Sequence, residues 1–89
     1  MKEYPDLRAL ETIPGVGKSI ARDLFDLGIK EPSQLHGKSP ERLYDELCRL
    51  RGVHVDRCML YVFRCAVYYV STKRPDRKKL NWWNWKDER

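Results

Sequence analysis

Residues 13–17 read Ile-Pro-Gly-Val-Gly, a combination that prevents a single continuous helix or strand from passing through this point of the chain. Proline lacks an amide hydrogen and clashes with a preceding helical turn, whereas glycine readily adopts the positive φ that other residues avoid. Apolar residues recur at helical spacing before this segment, over 6–12, and after it, over 18–27. The pattern predicts two short helices joined by a tight glycine turn.

A third helix is predicted after Ser39 and Pro40, because serine commonly caps a helix and proline is favoured at the first helical position. Leu43, Leu47 and Leu50 then recur at spacings of four and three, which indicates one apolar face. Between the second and third helices we expect a loop with one helical turn around residues 33–35.

The longest apolar segment, residues 58–70, includes Arg64 and is too short to span a bilayer, which requires about 20 residues. It predicts a fourth and longest helix, from Asp56 to about Ser71, at the centre of the core. The chain contains no alternation typical of strands. The predicted fold class is therefore all-α, a compact helical domain.

The chain has 89 residues, 42% hydrophobic and 35% charged, a balance typical of one small globular domain. Residues 1–72 hold the predicted helices, whereas residues 73–89 form a basic, tryptophan-rich C-terminal tail. A domain of this size has few large apolar groups, so we expect the tail to pack onto the helices.

Basic residues are unevenly distributed: residues 48–89 hold 11 of the 18 lysines and arginines but 4 of the 13 acidic residues. The formal net charge is +5, which favours a polyanionic partner. The alternative is that these charges only keep a small protein soluble.

The two halves of the chain resemble each other weakly when Leu10 is placed on Leu47 without gaps. Gly15 then coincides with Gly52 at the turns, and an apolar or small residue meets its like at three further positions: Ile13 with Leu50, Val16 with Val53, and Ala21 with Cys58. Both halves are predicted to be helix, glycine turn, helix, which indicates an internal repeat.

The segment from Leu10 through the glycine turn to Ile29 resembles the helix-hairpin-helix motif of DNA repair and recombination proteins. A glycine turn that opens a helix exposes backbone amides at the positive end of the helix dipole, where phosphate binds. The predicted phosphate site consists of Gly15, Val16, Gly17, Lys18, Ser19 and Arg22. The resemblance implies docking over the minor groove; the alternative is that the turn only forms a compact helix–helix corner.

The second turn, residues 51–54, keeps one glycine and has histidine in place of the other. In helix-hairpin-helix proteins two such motifs are often related by a pseudo-twofold axis, so the resemblance implies a SAM-like, (HhH)2-type arrangement with a degenerate second copy. Its predicted binding residues are Arg51, Gly52 and Arg57, of which the arginines matter most. The alternative is an ordinary turn with solvated arginines.

Lysines and arginines beside Trp82, Trp83 and Trp85 suit single-stranded nucleic acid, because bases stack on indoles. Alternatively the tryptophans fold back and seal the core; we expect this of two of them. Tyrosines at 61, 68 and 69 are expected to lie in the core with their hydroxyls at its rim, or else to form a dimer face.

Cys48, Cys58 and Cys65 are an odd number and lack the paired spacing of a zinc site, even with His54 nearby. We expect free thiols of a reducing cytoplasm, no metal and no cofactor. The first residues form no apolar leader, which also favours a cytoplasmic location. No catalytic set of side chains is evident, so no enzymatic activity is expected.

Four segments together resemble the bacterial pathogenicity-locus helix-hairpin-helix family, some of whose members carry a mitomycin-resistance label. These segments are residues 13–18, 50–58, 60–68 and 82–87. The resemblance covers nearly the whole chain and implies a bacterial cytosolic protein.

The predicted function is binding of nucleic acid without sequence specificity, with duplex DNA favoured, in DNA repair or damage resistance. The alternative is a protein-interaction adaptor, with a protein partner or a second copy of the chain and no nucleic acid. No membrane association is expected.

Overall fold

The computed structural model of the protein describes residues 4–86. Its four α-helices are α1 (Arg8–Glu11), α2 (Lys18–Asp26), α3 (Pro40–Arg51) and α4 (Cys58–Ser71). Single-turn 3₁₀ helices occur at Pro32–Leu35, Arg77–Leu80 and Trp82–Trp85. Within residues 4–86 there is no β-strand, which confirms the predicted all-α class.

Helix α4 lies at the centre of the core, as its apolar sequence predicts. Phe63, Cys65 and Ala66 are completely buried. The 3₁₀ helix Pro32–Leu35, α3 and the tail all pack against α4. Each buried side chain of Phe or Leu size contributes about 1.5–3 kcal/mol to folding, so the burial of this helix is a large part of the stability of the domain.

Helix α3 begins as its sequence predicts. The Ser39 hydroxyl accepts a hydrogen bond from the Arg42 amide at 3.3 Å, and Pro40 occupies the first helical position. The prediction that Leu50 lies on the buried face is wrong, since 52% of Leu50 is exposed. Every residue from 49 to 54 is exposed because the last turn of α3 extends beyond the core.

Helix α4 begins two residues later than predicted, and Asp56 precedes it as a capping side chain. The Asp56 carboxylate accepts a hydrogen bond from the Cys58 amide at 2.8 Å. This bond satisfies a donor that a helix leaves unpaired in its first turn. It also holds the pKa of the Asp56 carboxyl below its usual value, because the bond favours the charged form.

Arg51 connects the end of α3 to the C-terminal half of α2. Its guanidinium donates to Asp23 Oδ1 at 2.5 Å and to Asp26 Oδ2 at 2.8 Å. The Asp26 side chain is only 2% exposed and also accepts a hydrogen bond from the Tyr4 hydroxyl at 3.0 Å. Hydrogen bonding to the two carboxylates, first Asp23 and then Asp26, raises the pKa of Arg51 above its ordinary value.

The tail is attached to α4 by polar contacts as well as by apolar packing. The Trp85 carbonyl accepts a hydrogen bond from Arg64 Nη1 at 2.8 Å, and the Tyr68 hydroxyl accepts one from the Asp76 amide at 2.8 Å. Trp82 and Trp85 are half-buried, whereas Trp83 is 51% exposed. The tail segment up to residue 86 is therefore a fixed part of the domain surface.

Removing the Arg51 guanidinium should lower the free energy of unfolding, because it removes the ion pair with the buried Asp26 carboxylate. For Arg51→Met we expect a loss of about 1–2 kcal/mol, since partial exposure of the pair reduces its strength. Urea unfolding followed by circular dichroism measures this loss. Arg49→Met removes an exposed arginine from the same helix and serves as the control; equal unfolding midpoints for the two variants would contradict the assignment.

Candidate nucleic-acid interface

The turn between α1 and α2 combines one left-handed residue and one extended residue. Gly15 has a φ of +85°, and Gly17 precedes α2 with extended backbone angles of −96° and −169°. The Val16 amide donates to the Ile13 carbonyl at 3.0 Å, and the Val16 side chain is 5% exposed. We therefore revise the predicted role of Val16: it closes the turn and packs in the core, and its amide is not available to a phosphate.

The first turn of α2 presents backbone amides that the rest of the described chain does not use. The first helical hydrogen bond runs from the Ala21 amide to the Gly17 carbonyl at 2.9 Å. Among residues 4–86, the amides of Gly17, Lys18 and Ser19 have no acceptor, and all three residues are exposed. No side chain caps this helix and its first turn holds no acidic residue. This is the electrostatic environment that an anion requires.

Two cationic side chains accompany these amides. Lys18 and Arg22 are both exposed, and both line a shallow cavity of 200 Å³ beside α1. The Arg22 guanidinium lies 5.3 Å from the centre of the Tyr4 ring, a cation–π distance that orients it. Glu11, the acidic residue of the cavity lining, partly offsets this positive charge.

The second turn is built differently and its amides are occupied. Gly52 has a φ of +70°, and its amide donates to the Cys48 carbonyl at 2.9 Å. The Val53 amide donates to the same carbonyl at 3.3 Å, which closes the end of α3. At the start of α4, the Asp56 carboxylate already lies at the first-turn amides. The expectation that Gly52 holds a phosphate through its amide is therefore corrected.

The arginines of the second turn do not join the first turn in one cluster. Arg51 is paired with Asp23 and Asp26 near the C-terminal end of α2, whereas the unbonded amides lie at its N-terminal end. A nine-residue helix separates its two ends by about 13 Å. Arg57 is exposed at the N-cap of α4. The structure thus groups Gly17, Lys18, Ser19 and Arg22 and separates them from Arg51.

The order of helix, glycine turn and helix is the same in both halves of the chain. The packing of the turns differs: a methyl group added at Gly15 would lie 3.9 Å from Val62 of α4, whereas the space around Gly52 is open and the Arg51 side chain reaches across to α2. Burial is not repeated: Ile13 and Val16 are buried, whereas their counterparts Leu50 and Val53 are 52% and 62% exposed.

The sequence did not indicate that the tail would pack over the first turn. A methyl group at Gly15 would lie 3.6 Å from Trp82 Cδ1, so the tail packs directly over the turn. The two residues are far apart in the sequence, and only the packing of the tail on α4 brings them together. A signal existed in the clustered tryptophans, but it did not specify which element they cover.

Each of the three cysteine thiols has a hydrogen-bond partner within the protein. Cys48 Sγ accepts a hydrogen bond from the Val55 amide at 3.4 Å, and Cys65 Sγ donates to the Lys79 carbonyl at 3.5 Å. Burial raises the pKa of the Cys65 thiol, and a hydrogen bond to Asp56 raises that of Cys58. In the part of the chain that the structure describes, no three metal-ligating groups come together.

Comparison with known proteins identifies the family. Residues 4–89 match the family Cdd1, described as pathogenicity locus, and the chain belongs to this family. A relative is the mitomycin resistance protein McrB of Streptomyces lavendulae, which is 33% identical over 82 residues that cover 90% of this chain and 72% of the relative. No solved structure matches the chain. Among the described helices, none is both long and apolar enough to cross a membrane.

The two glycines of the first turn should respond differently to alanine. Gly15→Ala should lower the free energy of unfolding by about 1–2 kcal/mol, because a side chain is strained at this positive φ. Gly17→Ala should cost less than about 1 kcal/mol, because its backbone is extended and the space around it is open. Urea unfolding of both variants provides the measurement, and an equal loss for the two would contradict the described turn.

Proposed function

We propose that the protein binds nucleic acid without sequence specificity, with duplex DNA favoured, through the first turn of α2. One observation carries this proposal: the amides of Gly17, Lys18 and Ser19 are exposed and unbonded, and no carboxylate accompanies them in that turn. The corresponding position at the start of α4 holds the Asp56 carboxylate. The chain therefore supplies an anion at one of its two turns and leaves the other open to an external one.

The proposed contacts explain the lack of sequence specificity. Backbone amides and lysine recognise phosphate oxygens, which are the same at every nucleotide. Lys18 and Arg22 add full positive charges on the same side of α2, and their neutralisation of phosphates releases counterions from the DNA. Affinity in this arrangement comes from electrostatics, so it should decrease as the salt concentration rises, with a slope set by the number of phosphates contacted.

The proposed grip is one-sided. Two equivalent turns would hold both strands of a duplex, but the second turn has occupied amides, and its Arg51 is held by two aspartates. Contacts from one turn reach few phosphates, which implies modest affinity and a shallow salt dependence for this domain alone.

We infer a role in resistance to DNA damage rather than in catalysis. The family description and the name of the McrB relative support the first part of this inference. The second rests on the sequence, in which no catalytic set of side chains is evident; the raised pKa values of the Cys58 and Cys65 thiols agree with it only in that they disfavour a reactive thiolate at those two positions. In this account the protein occupies DNA and performs no bond-breaking step.

A protein-interaction adaptor is the second candidate, and the exposed apolar residues Leu50 and Val53 favour it. Their counterparts in the first turn, Ile13 and Val16, are buried in the core, and exposed apolar side chains of this size are suited to a protein contact. This candidate requires no nucleic acid. It predicts a self-associated or partner-bound species in light scattering together with negligible DNA affinity.

Reversal of the two charges at the first turn should abolish DNA binding. Lys18→Glu with Arg22→Glu should weaken the affinity for a fluorescent duplex at least tenfold, because both groups are proposed to contact phosphates. Fluorescence anisotropy at low and high salt measures the affinity and its salt dependence.

The control is Lys30→Glu with Lys38→Glu, which changes the net charge by the same amount at exposed positions outside the first turn. An equal loss of affinity in the two double variants would mean that net charge alone attracts the DNA and that the first turn is not a specific contact site. Unchanged binding of the Lys18, Arg22 variant would reject this site.

A further inference from the structure

The exposed indole of Trp83 is connected to the first glycine turn through Trp82. Trp82 lies over the first turn, with its Cδ1 atom 3.6 Å from a methyl group added at Gly15. The Trp82 and Trp83 rings then meet edge to face, with centroids 5.7 Å apart. A continuous series of contacts thus leads from the glycine turn to a side chain that is 51% exposed.

The exposure of Trp83 is built into the tail. Trp85, two residues on, donates its indole hydrogen to the Lys79 carbonyl at 2.7 Å and packs on Tyr68 at a centroid distance of 5.2 Å. These contacts fix the 3₁₀ helix Trp82–Trp85, so Trp83 is held outward while Trp82 and Trp85 are half-buried. Burial of a large aromatic ring would stabilise the fold, and a small domain has few other sources of such stabilisation. An exposed tryptophan is therefore costly to a domain of this size.

The same tail is strongly basic. Residues 73–79 contain five lysines and arginines, all of them exposed: Lys73, Arg74, Arg77, Lys78 and Lys79. The acidic residue in this run, Asp76, accepts a hydrogen bond from the Lys78 amide at 2.9 Å and so caps the tail's own 3₁₀ helix. An outward indole beside a basic segment is the combination that binds unpaired bases, which stack on the ring while phosphates meet the cations.

We propose that the preferred substrate is DNA that contains an unpaired base next to a duplex, as at a gap or a frayed end. This inference rests on the proposed function: the first turn of α2 holds a phosphate, and Trp83 stacks on an unpaired base a few nucleotides away. Successive nucleotides are separated by about 3.4 Å along a stacked strand, so a short stretch connects the two contacts. A base inside an intact duplex is stacked on both faces and is not accessible to the indole.

Anisotropy titrations with an intact duplex and with the same duplex carrying a short single-stranded gap test this inference. The protein should bind the gapped DNA more tightly. Trp83→Ala should weaken binding to gapped DNA about tenfold and leave binding to the intact duplex unchanged. Trp83→Phe should retain most of the affinity because it keeps an aromatic face, and Leu50→Ala controls for removal of an exposed apolar side chain. Circular dichroism verifies that the variants are folded.

The outcomes separate this inference from the proposed function. If Trp83→Ala binds gapped DNA as tightly as the unaltered protein, or loses equal affinity for both DNAs, the stacking role is overturned. The phosphate site is judged independently by the Lys18, Arg22 double variant on the intact duplex. Quenching of tryptophan emission by gapped DNA that disappears in Trp83→Phe, while Trp82 and Trp85 remain, would support direct stacking.

Discussion

Helix α4 buries an almost continuous apolar surface, and this burial positions α3, the 3₁₀ helix Pro32–Leu35 and the tail. Phe63, Cys65 and Ala66 are inaccessible to solvent, and α3 and the tail pack around them. The first glycine turn lies near Val62 of the same helix, under Trp82. These hydrophobic contacts involve the turn at Gly15, and the amides at the start of α2 remain at the surface, where an anion can approach.

The two halves of the chain have the same helical order but different electrostatics. At the start of α4, Asp56 supplies a carboxylate to the helix, and the Val55 amide, which corresponds to that of Lys18, is bonded to Cys48 Sγ. The first turn of α2 has neither feature. This difference, rather than the resemblance between the halves, is what indicates a single phosphate site, since a helix terminus binds an external anion only where no internal group already satisfies it.

Local signals predicted most of the fold, whereas contacts between distant segments decided the site. Ser39 begins α3 as expected because capping depends only on adjacent residues. Leu50 continues the helical spacing of Leu43 and Leu47, yet it is exposed because the last turn of α3 extends beyond the core. Residue spacing alone does not show where the core ends. The pairing of Arg51 with Asp26 likewise depends on how α2 and α3 pack. Tertiary structure therefore decides which predicted binding groups are already bonded within the protein, as the guanidinium of Arg51 is.

The availability of the α2 amides is tested most directly by two-dimensional ¹H–¹⁵N NMR during titration with a duplex oligonucleotide. The amide resonances of Gly17, Lys18 and Ser19 should shift most, while that of Gly52, which is bonded within the protein, should shift little. Shifts centred on the second turn, with the amides of the first turn unaffected, would rule out the proposed phosphate site.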